Sequence, residues 1–227
     1  QFREILQDEN LINLGKEYHP EQPYSSPKVH IVIDDGRSFF RKTNKKYDLV
    51  VMGLADSHTL SSSLTNIRLD HYLYTKESIE DVKKILKPDG LLYLSFEVDK
   101  KGQMGDKIKK NLEQVFGHEP VVFKLYDTDF FGLGGVIFMA NDKGDIEEKY
   151  LNQNQDLKKF IKDRQVNYGS GAKSLTDNWP YLYLDKPLIP KIHIWIFIFL
   201  IAAFVSLRKT IAWQGSFRWD LFVLGAG

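Results

Sequence analysis

Short, nearly continuous apolar runs alternate with segments of helical period along the first 140 residues, and this alternation constrains the fold more than any other feature. "VHIVI" (29–33), "YDLVVMGLA" (47–55) and "LLYLSF" (91–96) read as strands buried on both faces. "PVVFKLY" (120–126) and "GVIFMA" (135–140) follow as two closing strands with no helix between them, which suggests an antiparallel edge hairpin. Between the strands lie helical patterns. "FREILQDENLINL" places Phe2, Ile5, Leu6 and Leu11 roughly on one face. Thr75 is placed to cap a helix with the stripe Ile79, Val82, Ile85 and Leu86, ended by Pro88 and Gly90. Met104, Ile108, Leu112, Val115 and Phe116 mark a further helix. Such alternation predicts an α/β fold, a parallel sheet covered by helices on both sides.

Beyond residue 140 the character changes. Residues 141–188 are polar and read as a linker that ends in the aromatic stretch "TDNWPYLYLDKP". "IHIWIFIFLIAAFVSL" (192–207) carries no charge and lies between Lys191 and Arg208–Lys209. With Ile189 and snorkelling basic ends it predicts a membrane helix over 189–207, a basic loop over 208–220 and the start of a second span at 221–227. The ends of the chain read as those of an internal piece of a longer protein.

Composition narrows the chemistry. Lysine and arginine (31) balance aspartate and glutamate (30), so no global field draws in nucleic acid. The chain has no cysteine, which removes disulfides, thiolate nucleophiles and sulfur-based zinc sites, and the six histidines show no HxH or HxxxH spacing, so no metal is expected. No GxGxxG, Walker or GxSxG pattern is present.

In an open parallel sheet the ligand site lies beyond the carboxyl ends of the strands. Asp34, Asp35 and Gly36 follow the strand 29–33; Gly53, Asp56, Ser57 and His58 follow the strand that starts at Tyr47. A carboxylate there can accept from an exocyclic amine such as that of adenine, while glycine admits a ring close to the backbone. One of Asp34 and Asp35 is equally suited to cap the helix "GRSFFRKT". The long loop "GLADSHTLSSSLTNIRLDHYLYT" exceeds an ordinary connection and crowds Arg68, Asp70, His71, Tyr72 and Tyr74 into seven positions, as a substrate-contacting loop would.

"PKVHIVIDDGRSFF", "KKYDLVVMGLADSHT" and "YTKESIEDVKKILKPDGLLYLSFE" together resemble the second half of the spermidine synthase fold, a Rossmann-like class I methyltransferase sheet, over roughly residues 3–140. With "TDNWPYLYL", the apolar run and "WDLFVLGAG", the chain resembles large bacterial polytopic membrane proteins that carry such a domain. The resemblance implies S-adenosylmethionine, or its decarboxylated form, as ligand. It implies that Asp35 with Gly36 reads adenine and that Asp56 holds and deprotonates an attacking amine; Asp34 and Gly53 join the ligand-binding candidates by their position at the strand ends. His58, Arg68, Asp70, Tyr72 and Tyr74 are the substrate-contact candidates of the long loop, and the resemblance implies that the glycine-loop strand and the ribose-gripping strand precede Gln1. Gly53 stands where the family carries its first loop aspartate, Ser57 replaces a proline, and the family's helical aromatic pair falls on Ser78 and Ile79. The implied activity is a membrane-anchored aminopropyl or methyl transfer, with the folded domain on the cytosolic side of a bacterial inner membrane. The alternatives are a non-catalytic nucleoside-binding sensor or transport regulator, or a structural scaffold. No oligomeric state follows.

Overall fold

The computed structural model describes residues 2–6, 9–53, 69–97, 103–125, 135–169, 171–182 and 191–212, together with Leu184 and Ile189. The chain divides into two units, Gln1–Asp185 and Lys186–Gly227.

The first unit begins with β1 (Phe2–Leu6), α1 (Glu9–Tyr18), β2 (Val29–Ile33) and α2 (Gly36–Lys42). It continues with β3 (Tyr47–Met52), a 3-10 segment (Leu69–Tyr74), α3 (Lys76–Ile85), β4 (Leu86–Glu97) and α4 (Gln103–Phe116). β5 (Val121–Lys124), β6 (Gly135–Ala140), a π-helical turn (Glu147–Leu151) and α5 (Gln155–Asp163) complete it. "FREILQDENLINL", read above as one helix, is instead β1 and the first part of α1. A five-residue strand offers too few positions for its period to stand out from a helix that follows two residues later.

Two sheets form where one was expected. β1 and β2 pair in parallel, and a second sheet runs in the order β3-β4-β6-β5. β3 and β4 are parallel; β6 is antiparallel to both β4 and β5, so the expected closing hairpin is present. In the larger sheet Val50, Met52, Leu92, Leu94, Phe96, Val136 and Phe138 share one buried face, aligned by the pairs Val50↔Leu92 and Leu94↔Phe138. α3 and α4 cover that face. Thr75 caps α3, accepting from Ser78 N at 3.4 Å, and Ile79, Val82 and Ile85 point inward; Ile108 and Leu112 of α4 meet them. Burying each such aliphatic side chain stabilises by about 1.5–3 kcal/mol.

The other face is covered only in part. Ile137, Met139 and Phe123 pack with Ile146, Leu151 and Ile161, the last from α5. Leu49 and Val51 of β3, on the same side, are 51% and 59% exposed. Pro88 and Gly90 do not simply end α3, which stops at Ile85; they sit in the first residues of β4, where the pairing with β3 slips register. A Cβ at Gly90 would lie 2.9 Å from the Tyr47 carbonyl oxygen, so the slip requires glycine.

The segment read as a polar linker belongs, through Asp185, to the first unit. Asn154 caps α5 through Leu157 N at 3.0 Å, and the chain beyond α5 returns along β5, with Val166 N donating to Val122 O at 3.1 Å. Its hydrophilic composition concealed this order, because few of its own side chains enter the core.

The second unit contains α6 (Lys191–Ala212). Its side chains from Lys191 to Leu207 are mostly exposed, including Trp195 at 69% and Phe199 at 70%. Among the described residues no helix is long and apolar enough to cross a membrane. The expected span over 189–207, and with it the placement of this chain in a membrane with a cytosolic domain, is therefore corrected. The uncharged stretch of sixteen residues ends at Arg208 and reaches only about 24 Å, short of a hydrocarbon core of about 30 Å. The basic loop from 213 and the expected second span at 221–227 lie outside the described residues.

Candidate functional site

β2 delivers Asp34, Asp35 and Gly36 to the start of α2, as its apolar run and abrupt acidic end require. The two carboxylates differ in what they do. Asp35 is the helix cap: its backbone is extended (φ −67°, ψ 133°) and its Oδ1 accepts from Ser38 N at 2.9 Å. Asp34, half-buried, accepts from Asp35 N at 2.9 Å and lies 3.7 Å from Lys42 Nζ. Of the pair, the residue that the resemblance assigns to adenine is thus also the cap. A carboxylate has two oxygens and about four acceptor positions, so the two duties are compatible.

Opposite the start of α2 lies the 3-10 segment. A Cβ at Gly36 would come within 3.4 Å of Leu73 Cδ2, so the two elements meet closely there. Tyr72 is half-buried, and its carbonyl oxygen accepts from Arg37 Nη1 at 3.0 Å. Tyr74, expected to contact a substrate, is 1% exposed and packs edge-on against Phe96 with ring centroids 4.8 Å apart; it belongs to the core. His71 is buried as well. Gly53, directly after β3, is exposed, and among the described residues nothing lies within 4 Å of where its Cβ would be. Asp56, His58 and Arg68 lie outside the described residues, as does the side chain of Asp70. The acidic tip after β2 and the end of β3 belong to different sheets, so the single-sheet rim expected from the sequence is not formed. Ser78 and Ile79, at the positions of the family's aromatic pair, are both fully buried.

The structure adds a pairing, between Arg37 and Asp177, that local sequence patterns did not show. Arg37, immediately after Gly36, is 8% exposed and forms a two-pronged ion pair with Asp177, Nη1 to Oδ1 at 2.6 Å and Nη2 to Oδ2 at 2.7 Å. Thr75 Oγ1 lies 2.8 Å from the same carboxylate and 3.0 Å from Arg37 Nη1. Burial pushes the Asp177 carboxyl up, but the hydrogen bonds from Arg37 and Thr75 and the charges of Arg37 and Arg41 outweigh it, so the net shift is downward. Asp177 projects from a tight turn in which Thr176 and Trp179 exchange backbone hydrogen bonds of 3.2 and 2.8 Å.

On either side of this turn the chain is held as a strap. Asn111 Nδ2 donates to Tyr74 O at 3.0 Å and Leu175 O at 2.9 Å, and its Oδ1 accepts from Leu175 N at 3.2 Å. Lys107, 1% exposed, donates to the carbonyls of Tyr181, Leu182 and Leu184 at 3.1, 2.8 and 2.5 Å. The signal in the sequence was the turn "TDNWP" and an arginine directly after the acidic tip, residues whose partners stand up to 140 positions away.

Known proteins of three kinds resemble the chain. Residues 4–149 match the model of the spermine/spermidine synthase domain. The polyamine aminopropyltransferase of Sulfurisphaera tokodaii is 37% identical over 172 residues, covering 74% of this chain and 54% of that protein. The enzyme of the same name from Buchnera aphidicola (subsp. Schizaphis graminum) is 25% identical over 164 residues, covering 71% and 53%. The chain thus spans about half the length of these curated relatives. Among solved structures, human methyltransferase-like protein 13 in complex with SAH superposes with a TM-score of 0.52 at 15% identity over 74% of each chain, which shows the shared fold. With the domain model matched across more than half of its residues, this chain belongs to the spermine/spermidine synthase family.

Proposed function

We propose that this chain forms part of a transferase that binds decarboxylated S-adenosylmethionine and moves its aminopropyl group to an amine. The match to the synthase domain over residues 4–149 carries the reading. The aminopropyltransferase relatives supply the reaction type. The acidic tip fits the ligand: Asp34 and Asp35 stand at a helix start beside the 3-10 segment and offer carboxylate acceptors to an exocyclic amine. In the reaction the amine nitrogen attacks the methylene carbon bound to the sulfonium. The new C–N bond forms as the C–S bond breaks, methylthioadenosine leaves as a neutral thioether, and the amine loses one proton. Alignment in a water-poor pocket supplies most of the acceleration, and Asp56 is the proton acceptor that the family pattern indicates.

Gly53 favours a second reading. It replaces a carboxylate that would help hold a cationic amine, which fits a nucleoside binder without transfer, or one that transfers a methyl group to another acceptor. Incubation of the full-length protein with decarboxylated S-adenosylmethionine and putrescine decides between them. Aminopropylated amine and methylthioadenosine are expected in equal amounts; nucleoside binding with no such product would refute aminopropyl transfer.

A further inference from the structure

The strap from Ser174 to Leu182 grips the two elements that meet at the acidic tip after β2. Through Asp177 it holds Arg37, one residue beyond Gly36, and Thr75, one residue beyond the 3-10 segment. Arg37 Nη1 also donates to Tyr72 O, so a single guanidinium spans α2, the 3-10 segment and the strap. Asn111 fastens the same stretch from beneath by bonding Tyr74 O and both backbone groups of Leu175. Lys76 N donates to Leu175 O at 2.8 Å, and Asp177 N donates to Glu77 Oε2 at 3.0 Å, so the first turn of α3 is tied to the strap as well.

We infer that Asp177 is a positioning residue. By holding Arg37 and Thr75 together it sets the spacing between the start of α2, with Asp34, Asp35 and Gly36, and the 3-10 segment, and so shapes the nucleoside site. The geometry favours this over a purely global role. Asp177 is a half-buried residue on a surface turn, and its bonds converge on the junction of α2, the 3-10 segment and α3. A two-pronged arginine–carboxylate pair fixes direction as well as distance, and a neutral isostere cannot reproduce it. The inference rests on the proposed nucleoside site for its functional consequence, and on the hydrogen bonds alone for its structural one.

The test uses the full-length protein with Asp177→Asn and, separately, Arg37→Lys, which keeps a charge but loses the fork. Backbone amide exchange reports the rim directly, and titration with methylthioadenosine reports its function. In Asp177→Asn, amides of Tyr72–Thr75 are expected to exchange about tenfold faster while those of β6 stay unchanged. Methylthioadenosine affinity is expected to fall about tenfold, since small displacements at a site are costly. Arg37→Lys moves both readouts in the same direction by less. Faster exchange at Tyr72–Thr75 in Asp177→Asn, together with a parent protein that binds no nucleoside, would sustain the structural role of the clamp and refute the nucleoside site. Overturning results are a folded variant with unchanged exchange at Tyr72–Thr75, exchange that rises equally in β6, or failure of both variants to fold, each of which assigns the cluster to overall stability.

Discussion

Lys107→Met removes the cation that closes the strap and leaves its aliphatic stem nearly unchanged. The Lys107 ammonium donates to three carbonyls, of which that of Leu182 is buried and those of Tyr181 and Leu184 are partly so. Methionine refills the volume but donates nothing, so the cost lies in the stranded acceptors. A buried acceptor without a partner costs about 1–3 kcal/mol, and the two wetter ones recover part of their loss from water. Against this, burying the ammonium carries its own desolvation cost, which the variant relieves. The balance is about 3 kcal/mol of destabilisation, and for a unit of this size each kcal/mol lowers the melting temperature by about 2–4 °C. Calorimetry should therefore show a drop of about 6–12 °C, with residues 181–184 becoming the first point of proteolytic attack. A variant that melts within 2 °C of the parent would refute the reasoning, because it would mean that the three carbonyls are satisfied without the lysine.

Two further outcomes follow from the acidic groups. Asp35→Asn keeps a capping acceptor and should leave stability within about 0.5 kcal/mol, while Asp35→Ala loses the cap and costs about 1 kcal/mol in urea unfolding; if Asp35 also meets a nucleoside amine, both variants weaken methylthioadenosine binding, which calorimetric titration reads. Asp81 is pushed up by burial but pulled down further by Lys84 and Arg41, and its net shift below the ordinary 3.8 matches in direction that of Asp177. A carboxylate with a folded pKa below its unfolded one contributes stability that is complete above the unfolded value and is lost as pH falls through the folded one. Asp81→Asn should hence be less stable than the parent at pH 6, and the gap should close below about pH 4 in urea titrations; a gap that widens in acid would contradict the ion pairs.

The parts of the fold that could be read from the sequence share one property: their cause is local. Thr75 caps α3 because a hydroxyl three residues before Ser78 N can do so in any context, and α4 is legible from a stripe repeated over four turns. The closing hairpin β5–β6 showed itself through the absence of an intervening helix. β1 escaped because its five residues share apolar positions with the helix after it. The strap escaped for a different reason: Asp177, Asn111 and Lys107 are polar residues whose order comes from partners 37 to 140 positions distant, which no window on the sequence contains. At the site, the choice between Asp34 and Asp35 as cap turned on backbone dihedrals, and Tyr74, polar and set in a crowded loop, looked like a ligand contact until its ring was placed against Phe96.

The pairing of Arg37 with Asp177 also orders events in time. A growing chain emerges at about 5–20 residues per second, so some 7–28 seconds separate the arginine from its carboxylate during synthesis. Until then α2 has its cap but not its clamp, and closing so long a loop is a late step that must wait for the sheet to bring the ends near. The clamp on α2 is consequently among the last contacts that the growing first unit can make.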